Sequence, residues 1–183
     1  SQVIGWSFKT SPHFAALVNG ITGHALDYDD WAPLFLFHPS VVLLPAILAL
    51  GEAAKVSGKH VLEAYLIGFE VEIKLLSSFG VNAQIRGWHN TGIVGAIGAT
   101  VAAAKILQLN PEQIIRALGI AASEASGMKQ NFGTMTKPLH AGLASRNGVM
   151  AAMLAEKGFT ANEAVLEDPV GYCAVFAGQD NYD

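Results

Sequence analysis

The amino-acid sequence predicts an all-α fold, a helical bundle, on three observations. Apolar residues recur at spacings of three and four along most of the 183 residues, as on the buried face of a helix. There is no convincing alternation of period two and no repeat of fixed length. Apolar residues make up 51% of the chain and charged residues 14%, whereas a typical domain is about a quarter charged. We therefore expect an unusually large share of the chain to be buried, in a core or against a partner.

The first predicted helix opens with Ser11 and Pro12, which are typical of an N-cap followed by the first helical position. It is expected to end within residues 23–26, which places the acidic run 27–30 at its C-terminal end. Carboxylates there face the negative end of the helix dipole, where structure alone would favour lysine. This position favours a functional role for the acidic run.

The second predicted helix covers residues 40–56, with a kink at Pro45 and a stop at Gly58. The third covers residues 59–79 and is expected to stop at Gly80. Its predicted buried stripe consists of Leu62, Leu66, Phe69, Ile73 and Leu76.

Four more helices complete the predicted bundle. The fourth, residues 92–107, is rich in glycine and alanine and is expected to be the central helix, because small residues let helices approach closely. The uncharged stretch 88–104 is shorter than the roughly 20 strongly apolar residues of a bilayer span, so it is interpreted as a buried helix. The fifth and sixth helices cover residues 110–127 and 138–158, and a short seventh begins at the capping-box spacing of 160–163.

Charge and cysteine content limit the classes of function and location. The net charge of −4 argues against nucleic-acid binding, which needs a basic surface. With Cys173 as its single cysteine, the chain cannot form an internal disulfide or a cysteine-based metal site. No secretory signal is visible at the N-terminus. These features predict a cytoplasmic protein without nucleic-acid or membrane partners.

Four polar segments stand out, each at the end of a predicted helix. They are Asp27-Tyr28-Asp29-Asp30, His38-Pro39-Ser40, the segment 87–92 around His89, and the segment 134–140 with Lys137 and His140. Three of them precede a helix N-terminus, where free N–H groups attract anions.

These residue types suit one kind of chemistry. A lysine about 4 Å from a carboxylate gains roughly 4 kcal/mol at an effective dielectric near 20, and histidine and aspartate can transfer protons near neutral pH. We therefore expect Asp27, His89 and Lys137 to converge on one site. Such a site would suit a lyase or isomerase that moves a proton next to a carboxylate and stabilises the charge that develops.

Other interpretations of the same residues stay open. Each segment could be a solvated helix end or a structural turn, and His13, His24 and His60 are taken as structural or surface residues. Metal ligation by Asp27, His38 and His89 is a minor option, because none has a tight ligand spacing. Residues 27–30 also match the Asp-x-Asp-Asp pattern of protonating terpene cyclases, but only 9% of the chain is aromatic, too little for a carbocation pocket.

Three segments together resemble the MmgE/PrpD family in order and spacing. They are "GHALDYDD" followed by "HPSVVLLPAILALGE", "GWHNTGIVGAIGATVAAAKILQL", and "NFGTMTKPLHAGLASRNGVMAAMLAEKGF". The family includes 2-methylcitrate dehydratase, cis-aconitate decarboxylase and iminodisuccinate epimerase. The resemblance implies a large helical domain, homodimers and cofactor-free, metal-independent chemistry on small di- or tricarboxylates. It also implies a smaller α+β lid domain, which has no counterpart in residues 1–183, so we expect one helical domain that is a fragment of a longer protein.

By position, the resemblance implies catalytic roles for Asp27, His38 and His89, and binding of a substrate carboxylate by Lys137 and His140. Trp31 falls where cis-aconitate decarboxylase has a threonine, which counts against that particular activity. The sequence therefore predicts a lyase or isomerase of the 2-methylcitrate dehydratase kind, whose activity as this chain alone is open. The alternative is a non-catalytic helical module that dimerises through its small-residue helices.

Overall fold

The computed structural model describes residues 1–79, 81–179 and 181–182. Over these residues the chain forms eight α-helices, a single 3-10 turn at Lys129–Asn131 and no strand, only three isolated bridges. The helices are α1 (Pro12–His24), α2 (Ser40–Ala54), α3 (Gly58–Phe79), α4 (Asn82–Ile85), α5 (Asn90–Leu107), α6 (Pro111–Glu124), α7 (Thr136–Glu156) and α8 (Tyr172–Ala177). The predicted all-α fold is confirmed.

Helix α5 is the centre of the bundle, as its composition predicts. It packs against α2, α3, α6 and α7. It is also the one helix of the described residues that is long and apolar enough to cross a membrane by length and composition, but 83% of that apolar window is buried inside the fold. Its small residues allow this packing: a Cβ on Gly95 would lie 2.9 Å from the γ-carbons of Val42 on α2. The interpretation as a buried core helix is confirmed.

The N-cap residues of α6 and α1 differ in the hydrogen bonds that they make. Asn110 caps α6 with a complete capping box: its Oδ1 accepts from the Gln113 backbone N–H at 3.0 Å, and its own N–H donates to Gln113 Oε1 at 3.0 Å. Ser11 occupies the N-cap position of α1 and Pro12 the first helical position, but the Ser11 side chain makes no capping hydrogen bond. The fixed φ of proline therefore contributes more to this start than the serine hydroxyl.

The predicted end of the second helix is two residues too late. Helix α2 continues through Pro45 and ends at Ala54, because Lys55 adopts the left-handed conformation, with φ 54°. The Val56 N–H then donates to Gly51 O at 3.1 Å and closes the helix. Gly58 is the first residue of α3 rather than a stop. The stop predicted at Gly80 lies outside the described residues.

The predicted buried stripe of α3 is wrong at two of its five positions, whereas Phe69 and Ile73 are partly buried against the core. Leu62 and Leu66 are 65% and 63% exposed, and only Leu76 of the stripe is fully buried. The face that packs on α5 carries small residues: a Cβ on Gly68 would lie 3.0 Å from the Gly98 carbonyl oxygen. Close helix packing selects small residues, so the spacing of large apolar residues indicates the wrong face here. The buried residues of α3 are Ala64, Gly68, Glu72, Leu76 and Phe79.

The short helix predicted at 160–163 is also wrong. Residues 163–170 form turns, in which the Asn162 side chain accepts from the Ala164 N–H at 2.9 Å. Such Asx turns compete with the first turn of a helix. The structure instead has two short helices that were not predicted, α4 and α8, and α8 buries Tyr172 and Phe176 in the core.

Candidate active site

The loop between α1 and α2, residues 25–39, carries the acidic run and folds back on itself. Asp27 adopts a left-handed conformation, with φ 54°, directly after the end of α1. Further along, the Ala32 N–H donates to Phe37 O at 2.9 Å and closes a tight turn. The buried His38 N–H then donates to Thr91 Oγ1 at 3.0 Å, which fixes the loop to the first turn of α5.

Two further segments meet this loop. His89 is the N-cap residue of α5, and its N–H donates to Gly127 O at 2.9 Å, next to the isolated bridge between Trp88 and Met128. Lys137 lies in the first turn of α7, with its ammonium 5.3 Å from the centre of the Phe132 ring. The starts of α5 and α7 therefore point toward the acidic loop.

A cavity of about 370 Å³ opens where these segments meet. Asp27, His38, His89 and Lys137 all line it. Asp29 and Gln84 add polar atoms, and Trp31, Leu36 and Phe132 form its apolar part. Asp27, His89 and Lys137 thus share one cavity, as expected from the sequence.

The Lys137 ammonium donates to Asp27 Oδ1 across 110 positions of sequence. This hydrogen bond is the main reason why the pKa of Asp27 lies below its usual value, with smaller contributions from His38 and His24. His38 Nε2 is 3.5 Å from the same Asp27 oxygen. The Asp27 side chain is 54% exposed, so this charged pair faces the cavity opening.

Asp29 holds two imidazoles from behind this pair. His24 Nδ1 lies 2.9 Å from Asp29 Oδ1, and His38 Nδ1 lies 3.2 Å from Asp29 Oδ2. Burial acts to raise the pKa of the Asp29 carboxyl, but the interactions with His24 and His38 outweigh it, so the pKa is well below its usual value. The carboxylate therefore stays ionised and orients both rings.

The prediction that His24 is merely structural missed this contact. Its side chain is fully buried, and its ring lies edge-on to His38 at a centroid distance of 4.6 Å. The signal was present in the motif "GHALDYDD", because His24 ends α1 and Asp29 follows five residues later in the same loop. A spacing of five does not place two side chains on one helix face, so only the turn at Asp27 brings them together.

His140 lies beside His89 rather than on the cavity wall. Their Nδ1 atoms are 3.1 Å apart, so one ring must donate to the other, and His140 is not among the cavity-lining residues. Burial, and then the neighbouring His140, lower the pKa of His89 to about 2. Burial is also the main reason why the pKa of His140 is lowered. Both imidazoles are therefore neutral at pH 7 in this conformation.

The remaining residues of the acidic run have other surroundings. Asp30 accepts from the Ser40 backbone N–H at 3.2 Å and from the Ser40 hydroxyl at 2.7 Å, so it satisfies the free N-terminus of α2. Tyr28 is 94% exposed and does not line the cavity. Within the run, only Asp27 and Asp29 face the site.

Four side chains of the site could hold a metal ion. One donor atom from each of His24, Asp27, Asp29 and His38 lies within 4.8 Å of the other three. The metal option considered from the sequence included Asp27 and His38 but also His89, which is not part of this group. The observed group differs from the one considered from the sequence because the fold places His24 and Asp29, and not His89, beside Asp27 and His38.

Comparison with known proteins gives the same family as the motifs. Residues 1–183 match the profile of the MmgE/PrpD N-terminal domain. The chain is 40% identical to cis-aconitate decarboxylase of Homo sapiens over 175 residues, which cover 92% of the chain and 36% of that protein. It is 37% identical to the Mus musculus protein of that name over 96% of the chain and 37% of the relative. Cis-aconitate decarboxylase of Aspergillus terreus is 34% identical, over 93% of the chain and 36% of the relative.

The chain therefore spans little more than a third of the length of these relatives. Two features now agree: the order and spacing of the motifs in the sequence, which the fold gathers around one cavity, and a family profile that covers every residue. The chain belongs to the MmgE/PrpD family and corresponds to its N-terminal domain.

Proposed function

We propose that this chain is the helical domain of a lyase that acts on a small tricarboxylate of the cis-aconitate class. The observation that carries the proposal is the Lys137–Asp27 pair at a cavity that His38 and His89 also line. The relatives named as cis-aconitate decarboxylases support the substrate class. Dehydration or epimerisation of a related acid would use the same proton-transfer groups. Trp31 lies in the cavity wall, so the substrate can differ from cis-aconitate within this class.

Binding of the substrate begins at Lys137. A substrate carboxylate can take the place of Asp27 as the partner of the ammonium, and the ring of Phe132 at 5.3 Å limits where the ammonium can move. Hydrogen bonds to charged groups contribute about 1.5–3 kcal/mol each. In this proposal Lys137 holds one carboxylate, and His140 acts indirectly, by fixing the ring of His89.

Proton transfer follows from the change in charge on binding. Once Lys137 pairs with substrate, Asp27 loses the hydrogen bond that lowers its pKa and becomes a better proton acceptor. The negative charges of the substrate act in the opposite direction to burial at His89 and raise its pKa toward neutrality. His89 and Asp27 are therefore the proton-transfer groups, with His38 between Asp27 and Asp29.

For decarboxylation the balance is simple. The bond between carbon and the leaving carboxylate breaks, carbon dioxide departs, and the electron pair stays on the substrate as an enolate-like anion. A proton from the site is then added to carbon, and the product is an unsaturated dicarboxylate. The positive charge of Lys137 stabilises the anionic intermediate without a metal ion.

Replacement of Lys137 by methionine tests the proposal. Lys137→Met should weaken binding of cis-aconitate by roughly 10- to 100-fold, the equivalent of one charge-assisted hydrogen bond. Isothermal titration calorimetry of the purified chain measures binding, and carbon dioxide release measures turnover.

The matched control is Lys129→Met, which removes an exposed lysine from the neighbouring 3-10 turn. The control should bind as the unchanged chain does. Equal affinity of Lys137→Met and Lys129→Met for cis-aconitate would refute the assignment of Lys137, and no binding of any tricarboxylate would refute the proposed substrate class for this chain.

We also propose that the chain forms a homodimer. Dimerisation is part of the alternative interpretation as a non-catalytic helical module, and exposed leucines on two helices favour it. Leu62 and Leu66 on α3 are more than half exposed, and Leu44 and Leu48 on α2 are 39% and 43% exposed. Sedimentation velocity distinguishes a dimer from a monomer. A stable dimer without carboxylate binding would favour the non-catalytic module. A cytoplasmic location and the absence of nucleic-acid and membrane partners stay predictions.

A further inference from the structure

The group His24, Asp27, Asp29 and His38 has the spacing of a metal-binding site. His24 Nδ1 is 2.9 Å from Asp29 Oδ1 and 3.8 Å from Asp27 Oδ1. His38 Nδ1 is 3.2 Å from Asp29 Oδ2. In a tetrahedral zinc site with bonds of 2.0–2.1 Å, neighbouring ligand atoms are about 3.3 Å apart. The observed distances lie on both sides of that value, and the four ligand atoms all lie within 4.8 Å of one another, so side-chain rotation is needed to complete the geometry.

A second observation points to a ligand at the same place. His38 is 9% exposed, and its Nδ1 is buried without a hydrogen-bond partner among the residues that the structure describes. The 3.2 Å approach to Asp29 Oδ2 is close enough for an ion pair but lacks the alignment of a hydrogen bond. A buried imidazole nitrogen without a partner is costly, and a cation between it and Asp29 would satisfy it.

We propose that these four side chains bind one divalent transition-metal cation of the zinc and cobalt class. Two imidazoles and two carboxylates form a nitrogen and oxygen ligand set, which suits zinc or cobalt better than magnesium or calcium, whose ligands are mostly oxygen. The His24 side chain is fully buried and those of His38 and Asp29 are only 11% and 12% exposed, so three of the four ligands are held before the cation arrives.

The cation and Lys137 compete for the same carboxylate. Asp27 Oδ1 accepts from the Lys137 ammonium, and the Asp27 side chain is the most exposed of the four ligands. A bound cation replaces Lys137 at Asp27 and repels its ammonium. Binding of the cation does not depend on the proposed function, but its consequence does: the cation inhibits the lyase by removing Asp27 from proton transfer.

Titration of the metal-free chain with zinc chloride in a calorimeter tests the proposal, with cobalt chloride and visible absorption as a second probe of tetrahedral coordination. We expect one cation per chain. Asp29→Asn and His38→Gln should each weaken zinc binding by at least tenfold, whereas His13→Gln, a histidine of α1 outside the group, should not change it. Lys137→Met should tighten zinc binding, since it removes the competing ammonium.

Lys137→Met has opposite expected effects on the two affinities, and this separates the zinc proposal from the proposed function. Lys137→Met should weaken tricarboxylate binding and strengthen zinc binding, so either result can fail alone. If Asp29→Asn folds by circular dichroism and binds zinc as well as His13→Gln does, the site is wrong. Absence of zinc binding to the unchanged chain, or an unchanged zinc affinity in Lys137→Met, would likewise overturn the proposal.

Discussion

Asp27 and Asp29 are two positions apart, but their carboxylates have different partners. Asp27 accepts from the Lys137 ammonium at the cavity opening, and Asp29 accepts from the buried His24 ring. The pKa of both carboxyls is lowered, so both are ionised at neutral pH. Asp27 can exchange its partner when substrate binds, whereas Asp29 is enclosed with its histidines. We therefore expect Asp27 to react and Asp29 to position.

Replacement of Asp29 by asparagine tests this positioning role in an enzyme that contains this domain. An amide carries no negative charge and has one acceptor oxygen instead of two. Asp29→Asn therefore cannot keep both the hydrogen bond to His24 and the ion-pair contact with His38, and His38 loses its orientation toward Asp27. We expect kcat to fall on the order of 10²-fold, the usual contribution of one acid–base group, with a smaller change in KM. Steady-state kinetics across pH should also show a displaced profile.

Asp30→Asn is the matched control, because the Asp30 carboxylate accepts from Ser40 at the start of α2 and Asp30 does not line the cavity. Asp30→Asn should lower the free energy of unfolding but leave kcat close to that of the unchanged enzyme. If Asp29→Asn retained the kcat and pH profile of the unchanged enzyme, Asp29 would have no positioning role.

At the scale of elements, the site depends on how closely α1 and α7 approach each other. Helix α1 leads into the acidic loop, and α7 carries Lys137 in its first turn. The two helices meet at paired glycines: a Cβ on Gly20 would lie only 2.8 Å from the Cα of Gly142. The absence of side chains at this point therefore sets the distance between Asp27 and Lys137.

Gly20→Ala should destabilise the chain by about 1–3 kcal/mol, the usual cost of overpacking a core. The free energy of unfolding from urea titration measures the effect. Gly58→Ala is the control, because a Cβ at Gly58 has nothing within 4 Å and Gly58 begins α3. That variant should be neutral or slightly more stable. Equal stability of the two variants would contradict the close approach of α1 and α7.

At the scale of the whole molecule, Glu72 makes the stability depend on pH. Both carboxyl oxygens are buried without hydrogen-bond partners within the described part of the chain, and the side chain lies against Gly98 of α5. Burial, and then the charge of Asp30, raise the pKa of Glu72 well above its usual value of 4.5. The carboxyl is therefore neutral in the folded chain at pH values where it is ionised in the unfolded chain.

The sign follows from this difference. Below pH 4.5 Glu72 is protonated in both states, and above it only the unfolded state releases the proton, so stability falls as pH rises toward the folded pKa. The fall amounts to about 1.4 kcal/mol per pH unit for one proton. Glu72→Gln should remove this contribution, so its stability relative to the unchanged chain should rise from pH 6 to about pH 8. Urea unfolding at several pH values measures the difference.

Glu63→Gln provides the comparison. Hydrogen bonding from Lys105 lowers the pKa of Glu63, so this carboxyl is ionised in both states above pH 6 and its removal should change stability equally at each pH. A difference between Glu72→Gln and the unchanged chain that stayed constant with pH would show that Glu72 is not neutral in the fold.

The helices could be predicted from the sequence more fully than the site could. Helix types and most boundaries follow from capping residues and apolar spacing, as at Asn110 and Pro12, because these signals act over three or four positions. The stripe of α3 was wrong at Leu62 and Leu66 because the buried face is selected by contact with α5, which local spacing does not contain. The functions implied for Asp27, His38, His89 and Lys137 stay predictions, but the four residues do meet at one cavity.

The sequence by itself determined the all-α class, the glycine- and alanine-rich central helix and the family, because composition, periodicity and motif order are properties of the chain as written. Only the tertiary structure decided that His24 and Asp29 join the site, that His140 lies beside His89, and that Asp30 serves the start of α2. The physical reason is that each contact joins side chains from different segments: the left-handed turn at Asp27 brings Asp29 back to His24, and the packing of α7 on α5 brings His140 to His89. Directions of side chains after such a turn are fixed by long-range packing and hydrogen bonds, which no local pattern encodes.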